Sequence, residues 1–340
     1  MATTETTPTG NLGQTVIRFF RAPEWGLVAG IIAVVAAIYF LEPEHKFFQS
    51  YSLQSLTHRI SLFGVLAVGA AVVIIAGGID LSTGSVAALA SVISAKLITD
   101  WLRGGPGTAG PPSPFLIMLA IAITLLLGLG IGLLHALLIN QLRLPPFIAT
   151  LATMAGLRSV ASLISQNRTI NLSFEWYRMW GSKPWYTLSL FVVVATFMSI
   201  LMGCTVLGRH LFALGGNETA ARLSGLRTKR LKAVAYGLSG LLSAAGGILF
   251  TGLSGQADSR LGVSYELIAI TAAVVGGCSL SGGVGSIRGT VLGLVLTQIV
   301  IKATGLFPWG VDSTQVEGLV LGTVVVIAVA FNQRFRRIRD

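Results

Sequence analysis

Gly208-Arg-His-Leu-Phe-Ala-Leu-Gly-Gly-Asn-Glu-Thr-Ala-Ala-Arg-Leu-Ser-Gly-Leu-Arg-Thr-Lys-Arg-Leu-Lys232 is the only long polar segment in the second half of the chain. Long apolar runs flank it on both sides. It carries six of the 24 Lys and Arg residues, at Arg209, Arg222, Arg227, Lys229, Arg230 and Lys232. A basic interruption of this kind, between apolar runs, reads as a cytoplasmic loop between membrane spans. Within it, Asn217 can cap a helix by accepting from an orphan backbone N–H. Glu218 then falls in the first turn, where the helix dipole favours an anion. Glu218 and Arg222 are spaced i, i+4 in the favourable order, and Gly225 supplies a left-handed stop. The spacing predicts a helix of about two turns over 217–225, too short to be stable alone in water. Two roles are open for the stretch: an ordinary basic inside loop, or a docked element that meets a cytoplasmic partner.

Outward from that loop, the composition is that of a membrane protein. Of 340 residues, 53% are hydrophobic and 11% charged, against about 25% charged in soluble domains; the mean hydropathy is +0.78. The 41 glycines suit close approach of transmembrane helices, which lipid does not drive together by hydrophobicity. The net charge of +11 follows from basic inside loops and does not call for nucleic acid. Cys204 and Cys278 lie far apart in apolar segments, so no disulfide framework is implied. The first residues lack a basic n-region and a cleavage site.

A span needs about 20 apolar residues, fewer where shielded irregular backbone completes the crossing. The apolar runs predict helices at Trp25–Leu41, Ile60–Ala76, a segment ending near Ile98, Phe115–Asn140, Phe147–Ile164, Trp185–Leu207, Ala233–Leu253, Tyr265–Val275, Ile287–Ala303 and Val316–Phe331. A polar link, Glu42–His58, follows the first of them. The reading is an all-α polytopic membrane protein of about 10 transmembrane helices. Residues 1–17 read as a disordered cytoplasmic tail, 18–333 as one transmembrane domain with its loop at 208–232, and 334–340 as a basic cytoplasmic tail. Both termini fall inside, because that choice puts the loop cluster, Arg18, Arg21, Arg143, Arg288 and the tail's Arg334, Arg336, Arg337 and Arg339 on one side. Trp176, Tyr177, Trp180, Trp185 and Tyr186 suit the opposite membrane–water interface.

Two Gly-rich breaks interrupt the pattern, near 77–85 and 276–286. Gly77-Gly78-x-x-Leu81-Ser82 echoes Gly276-Gly277-x-x-Leu280-Ser281, which is either a weak internal repeat or a coincidence of composition. Non-helical backbone survives at membrane depth only where it lines a cavity or is buried in protein. Asp80 sits in the first break, where ionisable groups are costly and often functional. It, or Ser82 after it, caps the next helix, or it contacts a substrate or ion. Arg158, inside a predicted helix, needs a carbonyl or water as acceptor and either snorkels outward or faces a pore. Glu266 and Arg288 sit at helix starts, where interfacial placement accounts for both. His45, His58, His135 and His210 are scattered, and His135 reads as a packed helix residue. Pro145 and Pro146 precede a helix in the position Pro tolerates.

Soluble-enzyme signatures are missing. There is no GxxxxGK[ST], no HExxH and no His/Cys set with metal spacing, so no catalytic residue, cofactor or metal is expected, and any ATPase is a separate chain. The Gly282-Gly283-Val284-Gly285-Ser286 stretch reads as backbone geometry rather than a phosphate loop.

Four motifs occur in order: Gly77-Gly-Ile-Asp-Leu-Ser-Thr-Gly-Ser85; Pro145-Pro-Phe-Ile-Ala-Thr150; Gly208-Arg209 with Ala213-Leu-Gly-Gly-Asn217 and Ala220-Ala-Arg-Leu-Ser-Gly225; and Tyr265-Glu-Leu-Ile-Ala-Ile270 with Gly276-Gly277 and Leu280-Ser-Gly-Gly283. Together they resemble the permease subunits of bacterial ribose-type sugar ABC importers, over roughly Ser61 to Val295. The resemblance implies a multi-pass protein of the bacterial inner membrane, in contact with lipid. It pairs with a second permease subunit, identical or a paralogue. A cytoplasmic ABC ATPase binds below, and a periplasmic binding protein delivers a small sugar from above. It implies that Gly208, Arg209, Gly215, Gly216, Asn217, Glu218, Ala221, Arg222, Leu223 and Gly225 couple to the ATPase. Gly77, Gly78, Asp80, Ser82, Pro145, Pro146, Phe147, Gly276, Gly277 and Ser281 are the expected translocation path. Cys278 and Ser279 depart from the family's pattern without evident consequence, and the Gly/Pro insert Arg103–Pro114 alters the outer surface where a binding protein would dock. Rival readings are a branched-chain amino acid ABC permease, a secondary transporter coupled to protons or sodium through Asp80 or Glu266, and a membrane scaffold.

Overall fold

The computed structural model describes residues 24–102, 110–172 and 174–306, together with 316, 318–323 and 326. The expected tails, most of the Arg103–Pro114 insert and half of the expected helix at 316–331 lie outside the described residues. Among the described residues, seven helices are long and apolar enough to cross a membrane: α1 (Glu24–Leu41), α2 (Ser50–Ile75), α4 (Pro114–Gln141), α5 (Pro146–Ser165), α7 (Pro184–Cys204), α10 (Thr228–Ser254) and α12 (Ile287–Thr304). Two shorter apolar helices, α3 (Thr83–Lys96) and α11 (Tyr265–Val275), adjoin the Gly-rich breaks. A π turn, Leu97–Trp101, lengthens α3. Further α-helices are α6 (Glu175–Ser182), α8 (Val206–Gly216) and α9 (Glu218–Leu223). The one sheet among the described residues is a two-residue antiparallel pair, β1 (Ile170–Asn171) with β2 (Gln256–Ala257). The chain is an all-α multi-pass membrane protein, as its apolar runs predict.

The bundle is built around α2. Every residue from Ser61 to Ile75 is buried, because the segment is apolar on all sides and offers no polar stripe to solvent. It packs on α10, α11, α7 and α12. The most extensive helix pair is α4 with α10. There, Gly128, Gly132 and Gly240 let backbones touch: a Cβ on Gly240 would strike the Gly128 carbonyl, and one on Gly132 the Tyr236 carbonyl. Small residues at such a crossing gain packing contact where lipid gives no hydrophobic drive.

Four boundaries differ from expectation, each for a local reason. The link over 42–58 is helical from Ser50 onward. Polar side chains turn back on the helix there, Thr57 Oγ1 donating to the Leu53 carbonyl (2.8 Å) and Ser61 Oγ to that of Thr57 (2.8 Å), so an apolar window starts the helix too late. The predicted Trp185–Leu207 helix ends at Cys204. Thr205 is extended, and its hydroxyl caps a new helix, α8, by accepting from the Gly208 N–H at 3.1 Å. The first half of the expected loop is therefore helical. In the polar stretch Ser165–Pro184, α6 exposes Trp176 and Trp180 but buries Tyr177. The Tyr177 hydroxyl bonds Ser94 Oγ at 3.1 Å and donates to the Ile248 carbonyl. Tyr177 is thus packed inside the protein, unlike its exposed neighbours Trp176 and Trp180.

Candidate functional site

Both Gly-rich breaks begin with the same helix stop. At the end of α2, the Gly77 N–H donates to the Ile74 carbonyl and the Gly78 N–H to the Val73 carbonyl, each at 2.9 Å. At the end of α11, Gly277 donates to Val274 and Cys278 to Ala273, again at 2.9 Å. Gly77 and Gly277 take φ of +82° and +92°, a conformation glycine adopts without a Cβ penalty. The two breaks thus share a helix stop, but it is shifted by one residue from the sequence echo: Gly77 corresponds to Gly277, not Gly276, so the echoed residues are not structurally equivalent. Gly276 instead serves packing, since a Cβ there would fall on Gly289 and Thr290 of α12.

The two stops meet at a third element, the end of α8. A Cβ on Gly77 would come within 3.2 Å of Gly215 Cα. One on Gly215 would strike the Ile75 carbonyl and come within 2.6 Å of the Gly283 nitrogen. One on Gly282 would come within 2.6 Å of the Gly215 carbonyl and 2.7 Å of Gly77 Cα, and one on Gly283 within 2.6 Å of Gly216 Cα. The Gly283 N–H donates to the Ile75 carbonyl at 2.9 Å, joining one break directly to the other. Gly77, Gly215, Gly216, Gly282 and Gly283 therefore form a backbone-on-backbone junction. A cavity of about 300 Å³ opens beside it, lined among others by Pro146, Gly216, Glu218, Lys232, Tyr236 and Ser281.

Above the junction the first break is held by a buried polar network. Asp80, only 3% exposed, accepts from the Ser82 N–H (2.9 Å) and Ser82 Oγ (2.6 Å) on one oxygen and from Ser239 Oγ (2.7 Å) on the other. The Ile79 carbonyl accepts from Thr150 Oγ1 and the Tyr236 hydroxyl, both at 3.3 Å. Ser82 occupies the N-cap position of α3, yet its side chain caps nothing; Asp80 draws that hydroxyl backward instead. His135, fully buried, bonds Thr153 at 2.8 Å through Nε2. Thr150, Tyr236 and Ser239 thus belong to the site. Thr150 was visible inside the Pro145–Thr150 motif, whereas Tyr236 and Ser239 sit in an apolar helix with no local mark. Pro145 is the N-cap of α5, Pro146 follows it, and Phe147 is exposed.

Next to the junction, α9 spans six residues, shorter than two turns. Asn217 Oδ1 accepts from the Ala220 N–H at 3.0 Å. The helix stops at Gly225, φ +86°, whose N–H donates to the Arg222 carbonyl, while Leu226 donates to Ala221. Glu218 does not take the i, i+4 partner expected of it. Its carboxylate pairs with Lys232 Nζ at 2.7 Å, because α10 begins at Thr228 and brings Lys232 back alongside α9. Ala221 is buried, whereas Leu223 is 82% exposed at the tip. Gly208 is packed against the Leu201 and Met202 carbonyls and Arg209 is exposed. A basic groove of about 970 Å³ runs alongside, with Arg143, Arg222, Arg227, Lys229 and Arg230 on its walls.

Arg158 and Glu266 lie apart from this junction. Arg158 donates to the carbonyls of Leu261 and Gly262, both at 3.2 Å, so carbonyls supply its acceptors. Glu266 is only half-buried, but its Oε2 is enclosed without a hydrogen-bond partner among the described residues. Arg288 is exposed.

Residues 52–329 match the protein family described as branched-chain amino acid transport system/permease component. The chain belongs to this permease family. Among similar proteins, the ribose import permease protein RbsC of Bacillus subtilis (strain 168) is 35% identical over 318 residues, 91% of this chain and 92% of the relative. The galactose/methyl galactoside import permease protein MglC of Escherichia coli (strain K12) is 33% identical over 323 residues, 91% and 94% of the two chains. Escherichia coli K12 RbsC is 31% identical over 315 residues, 89% and 92%. No solved structure gives a significant match. For this permease, the family match spans α2 to α12 and so includes both breaks, the α8–α9 segment and the junction between them.

Proposed function

We propose that this chain is the transmembrane permease subunit of an ATP-binding-cassette importer that carries a monosaccharide across the bacterial inner membrane. The observation that carries the reading is the glycine junction. One backbone contact unites the segment leading into α9 with the ends of both broken helices. In this reading α9, with Leu223 outermost, is the piece seated in the ATPase. A shift of α9 on ATP binding displaces Gly215 and Gly216, and these bear directly on Gly77, Gly282 and Gly283. Packed interfaces of this kind switch between discrete arrangements rather than deform continuously. The breaks then open the path on one side while closing it on the other. The energy comes from the partner, so the chain itself performs no catalysis. A second permease subunit faces it across the path, and a periplasmic binding protein supplies the sugar.

The sugar reading is favoured over an amino acid because the similar ribose and galactose permeases match along nine-tenths of their lengths. The test is uptake in vesicles containing the permease with its ATPase, and the binding protein added outside. Labelled ribose or galactose should accumulate only when ATP is present. Leucine uptake in their place would move the chain to the amino acid branch. Uptake driven by a proton or sodium gradient without ATP would overturn the importer reading.

A further inference from the structure

The glycine junction does not account for the basic groove beside α9. The groove lies where the last turn of α4 and its link into α5 face the turn between α9 and α10. Asn140 Nδ2 donates to the Lys229 carbonyl at 3.0 Å, so the end of α4 is fastened to the start of α10 and the two walls are held together. Among the described residues, six cations and one carboxylate line it. The carboxylate, Glu218, is taken by Lys232. That leaves Arg143, Arg222, Arg227, Lys229 and Arg230, all exposed, and none of their side chains has a hydrogen bond or ion pair among the described residues. Their placement runs against two local preferences. Arg227, Lys229 and Arg230 gather at the start of α10, the end at which a helix dipole disfavours cations. Arg143 takes φ +54°, a left-handed conformation where Gly or Asn is the usual residue. Beside the cations the surface turns apolar. Leu137 and Leu142 near the end of α4, and Phe147 and Ile148 at the start of α5, are exposed. Most of both helices is uncovered by the rest of the bundle.

We propose that this groove binds the phosphate of an anionic phospholipid, from the leaflet on the α9 side of the bundle, whose acyl chains lie along α4 and α5. Basic pockets between transmembrane helices take such headgroups. A phospholipid matches both halves of the surface. Its phosphate diester accepts from the Lys and Arg side chains, in bidentate fashion from a guanidinium. Its chains cover Leu137, Leu142, Phe147 and Ile148. An acidic protein surface, or a free phosphate, would use the cations and leave the apolar wall unexplained. The cations come from three segments: Arg143 from the α4–α5 link, Arg222 from α9, and Lys229 and Arg230 from α10. A headgroup shared among them braces α9 against the corner where α5 begins. The site depends on no particular cargo and stands apart from the sugar reading.

Native mass spectrometry of the full-length permease in detergent, titrated with phosphatidylglycerol or phosphatidylcholine, reads the affinity for the first lipid bound. Phosphatidylglycerol should bind at least about tenfold tighter. Arg143→Asn combined with Arg230→Gln takes two cations from the groove and should lower phosphatidylglycerol affinity roughly tenfold; Asn suits the left-handed backbone at 143. Lys229→Gln with Arg230→Gln decides the matter if that variant misfolds. Arg209→Gln with Arg288→Gln removes two exposed cations outside the groove and should change the affinity less than about twofold. Equal affinity for the two lipids, or equal losses in the groove and control variants, overturns the site. Displacement of phosphatidylglycerol by inorganic phosphate at the lipid's own concentration would make this a free-anion site and overturns it too. Loss of phosphatidylglycerol binding when the ATPase subunit is bound would assign the cations to acidic groups of that partner, with the same consequence. Selective phosphatidylglycerol binding by a permease that carries no sugar leaves the lipid site standing while the importer reading falls.

Discussion

A methyl group at Gly215 has nowhere to go: the Ile75 carbonyl, the Gly283 nitrogen and the Gly77 nitrogen all stand in its way. These are backbone atoms, so no rotamer change makes room. Gly215→Ala should cost about 1–3 kcal/mol, as overpacking of a close-packed site does, and should abolish transport while the protein still inserts. Its neighbour provides the control. A Cβ on Gly216 meets nothing within 4 Å, so Gly216→Ala should retain wild-type stability and most of its uptake. Thermal unfolding in detergent and vesicle uptake check both variants. Asp80 is the second sensitive residue. Its carboxylate accepts three hydrogen bonds in a buried site. Ser239→Ala strips one donor from a buried oxygen and should destabilise by about 1–3 kcal/mol, which a lowered unfolding temperature would reveal. The glycines, Asp80 and the Pro pair were legible as unusual residues at membrane depth. Their mutual contacts were not, because a contact between Gly77 and Gly215 depends on three helices packing. Nothing in the sequence near Ser239 marks it as the partner of an acid so far away.

At the scale of elements, the α8–α9 segment shows how a local rule yields to a tertiary one. The i, i+4 spacing of Glu218 and Arg222 would serve an isolated helix, but α9 is too short to exist alone. Its carboxylate turns to Lys232, fastening α9 to the start of α10. The pair is partly exposed, with side-chain accessibilities of 50% for Glu218 and 21% for Lys232, so it contributes little to global stability. We infer that it orients α9. Glu218→Lys or Lys232→Glu alone should lower sugar-stimulated ATP hydrolysis by about two- to fivefold, an effect of up to ~1 kcal/mol. The double reversal should recover most of it. Equal loss in the single and double variants would show that the pair does not orient α9. The same element explains one of the boundary differences. Thr205 breaks what hydropathy reads as one helix through Leu207, because its hydroxyl caps α8. A window of mean hydropathy averages over such a single-residue cap. Where apolar pattern and stop chemistry coincide, as for α11 at Tyr265–Val275, the predicted bounds are those observed.

At the scale of the whole molecule, a long helix, α2, and a short one, α11, meet at one fulcrum. Helices α2 and α11 pack on one another and end in matching helix stops. Between their ends sits the tip of α8, and the Gly283–Ile75 hydrogen bond closes the set. Alternating access through this arrangement requires the tip of α8 to shift against the second break; a rigid lock between them should stop transport without removing any binding site. Gly216 and Ser281 both line the junction cavity, and neither has a buried side chain to lose. With Cys204 and Cys278 replaced by Ser, the double variant Gly216→Cys with Ser281→Cys should transport while reduced. A short bis-thiol reagent cleavable by reductant should then lower ATP-driven uptake at least tenfold, with recovery on cleavage. Each single variant, treated alike, should keep its uptake. ATP binding by the associated ATPase should persist throughout, because the lock lies on the permease side of α9. If the cross-linked complex carries sugar at the rate of the reduced one, the junction is a static packing contact, and motion must reach the two breaks by another route.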